Sequence, residues 1–477
     1  MSDFLYFISE ILWGSVMIYL LLGAGIWFTW RTGGIQFRYL RHFAKSLRKS
    51  VTPANDGLTS FQALCTSLAA RVSGGNIAGV AIAITAGGPG AVFWMWVAAL
   101  VGMATSFAEC SLAQLYKSRD ENGRFHGGPA WYMERGLGMR WMGVLFSVFL
   151  LMAFGLVFNA LQANSLSLAL HQAFHLPKWL IAALMAVATL LVIRRGMKGV
   201  ARFSQWIVPA AAGAWVLTAA IVVLLNLPRL PEVMTLIFKS AFGWHEAASG
   251  TLAWTMSQAI TSGFQRSMFS NQAGMGSTPN AAAAAASWPP HPAAQGIVQM
   301  IGVFIDTVII CSATAAILLL SGVQDYNDAS VNGVTLTQQA LSTLAGNWAS
   351  GYIAIILAFF AFTSIVANYA YAENNLRFLT RSTLRHQPLL RAGTLAMVIF
   401  GVFAALPTLW QLADIAMALL AMTNLIALLL LSPVVKLIAD DYLRQRKLGV
   451  KPVFDVTRYP EIERQLTADS WKDLPRE

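Results

Sequence analysis

Two short polar stretches interrupt long apolar runs, and each carries paired glycines. Ser73-Gly74-Gly75-Asn76 lies inside an otherwise helical run from Phe61 to Thr85. Ser270-Asn271-Gln272-Ala273-Gly274-Met275-Gly276-Ser277 lies inside a second, from Thr251 to Ala286. Glycines flanked by Ser, Asn and Gln are poor helix interior, so both runs are expected to open. In lipid, an opened helix needs protein or a wet cavity around its freed N–H and C=O groups. The N–H end then suits a carboxylate and the C=O end suits a cation such as sodium. The chemistry expected is passage of a small zwitterion with a monovalent ion. The competing reading is that these glycines only allow close helix crossings; the polar neighbours at both breaks favour opening.

Composition sets the environment. The chain has 477 residues, of which 56% are hydrophobic and 12% charged, with mean hydropathy +0.57. An average soluble chain carries about 25% charged residues, so this is a polytopic membrane protein. Cys65, Cys110 and Cys311 all fall in apolar spans, which implies no disulfide framework. His245-Glu246 lacks the second His of a zinc-protease motif, and no nucleotide-phosphate loop is present. Nothing indicates an enzyme or a cofactor.

Eleven spans follow from the hydropathy pattern. They are Leu5 to Phe28, Phe61 to Ala86, Ala91 to Tyr116, Trp141 to Leu161, Lys178 to Ile193, Phe203 to Leu225, the second broken helix, Ile297 to Leu320, Gly351 to Leu376, Ala392 to Ala405 and Trp410 to Leu431. Gln36 to Ser50 reads as a basic amphipathic surface helix, Gly127 to Gly138 as an aromatic helix on the inner surface, and Asn164 to Leu176 as an outer amphipathic helix. Of 33 Lys and Arg, 28 fall in segments assigned to the inside, three outside (Lys178, Arg229, Lys239) and two within spans (Arg71, Arg266). That asymmetry predicts an external N-terminus and a cytoplasmic C-terminus. It also explains the net charge of +11 without nucleic-acid binding.

The domain reading is a transmembrane unit over residues 1–432 and a cytoplasmic tail over 433–477. An extra first helix (5–28) precedes repeat one (61–225) and repeat two (251–431). Spans two to six and seven to eleven each begin with a broken helix, so the fold class is all-α with an inverted five-plus-five repeat.

At its motifs the chain resembles the alanine or glycine:cation symporter family, also called sodium:alanine symporters. The resemblance rests on Ser73 to Val80, on Gly87-Gly88-Pro89-Gly90-Ala91-Val92-Phe93-Trp94-Met95-Trp96, on Gly102 to Glu109, on Gly127-Gly128-Pro129, on Gln162-Ala163-Asn164, on Arg266 to Ser277 and on Asn424-Leu425. It implies a LeuT-like fold and sodium-coupled uptake of alanine or glycine across the bacterial inner membrane. It also implies a pocket at Gly74 and Gly75 with Ser364 and Asn368 of span nine. Several positions depart from the family pattern: Gly74 and Ser364 stand where Thr is common, Asn368 where Trp is usual, Gln272 where Glu is usual and Arg71 where Thr is frequent. Loss of a Trp enlarges a pocket wall, and Asn adds hydrogen-bonding capacity.

The candidate substrate-binding residues are therefore Gly74, Gly75, Asn76, Asn271, Gln272, Gly274, Ser364 and Asn368. Ser73 and Ser364 are candidate sodium ligands, although a membrane serine often bonds its own helix instead. Asn76 and Asn271 also suit capping of the opened half-helices, and Thr255, Gln258 and Ser262 suit the bundle interior. Intramembrane Arg71 and Arg266 suit either structural ion pairs or a gate, with Glu109, Asp306, Glu373 and Asp414 as possible partners. No carboxylate reads as poised to take a proton at the ion site, so sodium leads over proton coupling. A channel would want a continuous polar stripe, and a sensor a larger output domain than the tail provides. The expected partners are a small amino acid, sodium and membrane lipid; oligomeric state is not legible.

Overall fold

The computed structural model describes residues 2–40, 57–120, 123–194, 196–243, 252–323, 333–381, 386–466 and 471. They are helical almost throughout; the one small sheet pairs Ser118–Arg119 with Phe125–His126. Six helices are long and apolar enough to cross a membrane: Gly90–Leu115, Arg140–Phe174, Lys198–Leu225, Pro292–Ser321, Trp348–Leu379 and Leu406–Leu430. A seventh is bent by 54° between Ser60–Arg71 and Gly75–Gly87. Lys178–Ile193 and Gln387–Phe403 are shorter apolar helices.

Elsewhere the expected spans map onto helices with shifted ends. Span one is a continuous run of Ser2–Leu12, Trp13–Met17 and Ile18–Arg31. Span two starts at a capping box, in which Thr59 and Gln62 satisfy each other's backbone amides. Span seven is Leu252–Asn271, then an irregular stretch, then only Pro279–Ala283. Its second half is thus far shorter than the run to Ala286 suggested. Among the described residues four segments are π-helical: Trp13–Met17, Gly75–Gly79, Leu151–Val157 and Phe304–Cys311.

Three expectations are corrected. Asn164 to Leu176 is not a separate outer helix, because Arg140–Phe174 runs through it; no Gly or Pro lies between Leu161 and Leu176 to stop it. The segment Gly127 to Gly138 does not lie on the surface. Its helix, Pro129–Arg135, buries Pro129 to Met133, and Trp131 packs edge-on against Phe378 of span nine at 5.1 Å. Of the basic stretch from Gln36, Ile35–Leu40 is helical, and 41–50 lie outside the described residues.

Small residues let the helices approach. A Cβ on Gly25 would stand 2.1 Å from Val101, and one on Gly401 2.1 Å from the Ala160 carbonyl, so spans one and three, and four and ten, cross almost backbone to backbone. The tail is docked on this body. Its helix Ser432–Lys447 continues into a segment whose Phe454 N–H donates to Pro290 O (3.0 Å), and Trp471 Nε1 donates to Leu115 O (3.1 Å). Lys117 is buried beside that contact. Its Nζ donates to Gln114 Oε1 (2.9 Å) and Ala285 O (3.0 Å) and lies 3.9 Å from the Phe125 ring centroid. Burial, and then Arg119, pushes the amine down to about 7.

Candidate substrate and ion site at the two helix breaks

The first break begins where Val72 turns extended after Arg71. Gly74 N–H, which a continuous helix would direct to Ala70, donates instead to Gln162 Oε1 of span four (2.8 Å). The Ala70 carbonyl is left to accept from Gln272 Nε2 (3.0 Å) and Ser364 Oγ (3.3 Å). Ser73 N–H donates to Asn76 Oδ1 (2.9 Å) and Gly75 N–H to Ser73 Oγ (3.1 Å). Asn76 therefore lies within the reopened helix and reaches back to the Ser73 amide rather than capping its first turn, whose Gly75 amide Ser73 Oγ takes instead. Ser364 reaches across to the break, whereas its neighbour Thr363 bonds back to Phe359 O (2.8 Å). Gln162 stands in the Gln162-Ala163-Asn164 motif, and beyond that only its place as a Gln in an apolar span marks it in the sequence.

The second break is left-handed at Gln272 (φ 57°), Gly274 (φ 80°) and Gly276 (φ 84°). Glycine relieves that strain at two of the three positions. Here an expectation fails. The Gly274 and Gly276 amides are taken by the protein's own Glu109, at 3.2 and 3.0 Å. Asn424 Nδ2 secures the arrangement by donating to Glu109 Oε2 (3.0 Å) and Gly274 O (2.9 Å), and Tyr132 OH donates to Asn424 Oδ1. Gln272 is engaged with Ala70 and with Ser277 Oγ (2.7 Å). Asn271 Oδ1 accepts from Ala273 N–H (3.0 Å), and its Nδ2 donates to Ser267 Oγ and Thr307 Oγ1, each at 3.0 Å.

The two breaks meet at a carboxylate. Asn76 Nδ2 donates to Asp306 Oδ1 (2.7 Å) and to Ser270 Oγ (3.0 Å). Ser270 Oγ donates to Asp306 Oδ2 (2.5 Å), as does Thr307 Oγ1 (3.0 Å). Asp306 and Asn76 are fully buried. Asp306 is thus a buried carboxylate at the junction of the two breaks, where the sequence marked none as poised. The counter-charge role expected of Asp306 is not seen: among the described residues no Lys or Arg lies within 4 Å of it. Its partners are an amide and two hydroxyls, groups that can turn oxygen towards a cation.

The arginines behave differently from each other. Arg266 is paired with Asp414 of span eleven (2.5 Å) and stacked 4.4 Å from the centroid of Trp410. Arg71 has no carboxylate within 4 Å among the described residues, so the possible Arg71–Glu109 pair is not formed. It donates to Gln299 O (3.1 Å) and Ser106 Oγ (3.3 Å). Aromatic rings join the Arg266–Asp414 pair to the first break. Phe269 contacts Trp410 (4.9 Å between centroids) and Phe158 (5.2 Å), and a Cβ on Gly75 would stand 2.5 Å from Phe269.

One turn along span nine from Ser364, Asn368 Nδ2 donates to Asn159 Oδ1 of span four (3.1 Å). Its Oδ1 is buried without a hydrogen-bond partner. Asn159 precedes Gln162 by one turn on the same helix, so spans four and nine bring Gln162 and Ser364 to the first break and join Asn159 to Asn368 one turn further along. Ser262 is buried and Gln258 half-buried; the side chain of Thr255 lies outside the described residues.

Comparisons with known proteins agree with this architecture. The model of the sodium:alanine symporter family matches residues 1–456. An uncharacterized transporter of Escherichia coli, YaaJ, is 62% identical over the full length of both chains. The probable sodium/glutamine symporter GlnT of Bacillus subtilis is 44% identical, over 94% of this chain and 91% of that one. In fold, the chain is similar to a mutant manganese transporter from Eremococcus coleocola, with TM-score 0.53 and 12% identity over 80% of this chain and 84% of that one.

Proposed function

The chain belongs to the sodium:alanine symporter family, a multi-pass membrane transporter family and not an enzyme family, and from that premise we propose that it couples sodium entry to import of a small neutral amino acid, alanine or glycine first. The observation that carries this is the buried Asp306 at the junction of the two breaks, held by Asn76, Ser270 and Thr307. A buried carboxylate with no Lys or Arg within 4 Å, and Arg71 acting on it only from farther off, favours a cation beside it. Sodium takes uncharged oxygens as well, and the Ala70 carbonyl with Ser364 Oγ and Ser73 Oγ supplies more of them. Neutralising Asp306 by the ion would weaken its hold on Asn76 and Ser270, one from each break, and so couple occupancy to their relative position.

In this reading the amino acid lies against Gly74, Gly75 and Asn76, under Phe269 and beside Gln162 and Ser364, while the second break supports it from behind through Glu109. Residues 61–225 and 251–431 act as inverted repeats of a LeuT-like fold with eleven spans, the N-terminus is external, and the tail faces the cytoplasm of a bacterial inner membrane. Glutamine, for which the Bacillus subtilis relative is named, fits the polar pair Asn159 and Asn368 better than it would an all-apolar wall.

A second reading has its own support. Asp306 is chemically able to carry a proton as well as to bind sodium, so proton coupling uses the same residue. Counterflow of labelled alanine, glycine and glutamine in proteoliposomes, under a sodium gradient or a pH gradient alone, separates the two. Uptake that follows pH and ignores sodium would overturn the sodium proposal.

A further inference from the structure

A broad cleft of about 1130 Å³ opens between the end of the first helix and the tail helix Ser432–Lys447. Five cationic side chains line it (Arg31, Arg38, Lys436, Arg444, Lys447) against two carboxylates, Asp440 and Asp441. Both carboxylates are occupied. Asp440 pairs with Lys436, and Asp441 takes Arg444, His291 Nε2 (3.2 Å) and Gln445 Nε2 (2.9 Å). Among the described residues neither Arg31 nor Lys447 has a carboxylate within 4 Å, and Arg31 Nε is buried without a hydrogen-bond partner. The cleft therefore carries an excess of positive charge with a donor to spare.

Its position matches a membrane surface. Arg31 stands in the last turn of the first helix, above Trp27 (5.4 Å from its ring centroid). Trp27 and Trp30 pack together at 5.4 Å and are 40% and 69% exposed. Indoles exposed at a helix end mark the headgroup level of a bilayer. Trp27 Nε1 donates to Ser432 Oγ (2.7 Å), which fixes the start of the tail helix at that level. Exposed Phe37 and Leu448 supply apolar surface near the charges.

We propose that this cleft binds the phosphate headgroup of an anionic phospholipid, with its acyl chains lying along the first helix. Basic pockets beside spanning helices recognise such headgroups through the same charge and donor chemistry. The inference rests on the multi-pass membrane reading and not on the transported substrate. Through Asp441 and His291 the site touches the N-cap of Pro292–Val303, the helix that leads to Asp306.

The test is native mass spectrometry of the delipidated full chain in detergent, titrated with phosphatidylglycerol, with phosphatidylcholine of the same acyl chains, or with inorganic phosphate. Phosphatidylglycerol is expected to bind at least about tenfold more tightly than phosphatidylcholine, and inorganic phosphate at equal concentration to leave it bound. Arg31→Gln with Lys447→Gln should weaken phosphatidylglycerol about thirtyfold, as two basic residues near a headgroup would. Arg31→Lys with Lys447→Arg should retain it, and Lys178→Gln with Arg229→Gln, at the far end, should not matter. Equal binding of the two lipids, or an unaltered Gln double variant, overturns the proposal; displacement by inorganic phosphate assigns the cleft to a soluble anion instead. Because binding is read without uptake, a failure of the transport proposal leaves a separate signature.

Discussion

The side-chain amide of Asn76 donates to Asp306 Oδ1 at 2.7 Å, across 230 residues of sequence. This bond ties the first break to the π-helical part of span eight, and Ser270 ties the second break to the same carboxylate. Asp306→Asn is expected to abolish the ion dependence of uptake and to lower its rate about tenfold to hundredfold, since hydrogen bonds to a charged group contribute about 1.5–3 kcal/mol. Initial rates measured across sodium concentration and external pH check this. A sodium half-saturation equal to that of the wild type would remove Asp306 from the ion path.

Gly75 has no room for a side chain. A Cβ there would meet the Phe269 ring at 2.5 Å, and overpacking of this kind costs about 1–3 kcal/mol. Gly75→Ala should lower thermal stability and block uptake, and Phe269→Leu on that background should restore stability in part. If Gly75→Ala transports normally, Phe269 does not sit against the first break during transport.

Arg266 and Asp414 are buried together beside Trp410. Removing one partner leaves an uncompensated charge, a loss of about 3–5 kcal/mol. Arg266→Met or Asp414→Leu alone should therefore reduce folded yield severely, while the double variant should fold much better. If the pair is also an outer latch, the double variant should exchange substrate faster than the wild type. Counterflow beside a melting curve reads both effects, and additive single and double losses would refute the pairing.

Asn368 presents a buried oxygen without a partner, and such a group costs about 1–3 kcal/mol. A serine or glutamine side chain, or a retained water, would satisfy it; a methyl group would not. Asn368→Trp is expected to narrow competition towards glycine and alanine while sodium dependence persists. An unchanged competitor ranking would show that Asn368 does not face the substrate.

Lys117 gives a pH signature. The folded chain holds its amine near about 7, and an unfolded chain holds lysine near about 10.4. Between those values the unfolded state binds more protons, so this residue makes stability rise with pH across that window. Below it the cost of burying the charge is fully present. The slope approaches about 1.4 kcal/mol per pH unit. Lys117→Met should raise the melting temperature most at neutral pH and flatten its rise towards pH 10. Parallel curves for the two proteins would refute the assignment.

The breaks were legible because glycine beside Ser and Asn disfavours helix wherever the chain goes. So were most spans, because apolar length is a local property. The direction of the second break's amides was not. Gly274 and Gly276 look available for a ligand until Glu109, more than 160 residues away, is folded onto them. Gln162 and Asn159 were likewise invisible as partners of Gly74 and Asn368, since nothing in their own neighbourhood fixes which side of span four they face. Arg71 was expected to want a carboxylate, and a carbonyl and a hydroxyl serve it instead.

The π-helical segments explain why counting residues along a helix misleads here. Asn76 lies within Gly75–Gly79 and Asp306 within Phe304–Cys311, so both partners of the central bond sit in widened turns. A widened turn holds one residue more than an α-turn of similar height, and one residue rotates everything beyond it by about 100°. Because the widened turn absorbs that residue, the flanks of spans two and eight keep their facing in space, and a count at regular α spacing across these segments is out by one position. Deleting a single residue from Phe304–Cys311 would return the helix to regular pitch with its length and the facing of both flanks nearly unchanged, yet it would remove the widened turn that presents Asp306 to Asn76. Such a deletion acts on the widened turn rather than on its flanks, and its damage should appear in the Asn76–Asp306 bond before it appears in the packing of Thr314 on the Asn76 carbonyl or in helix content.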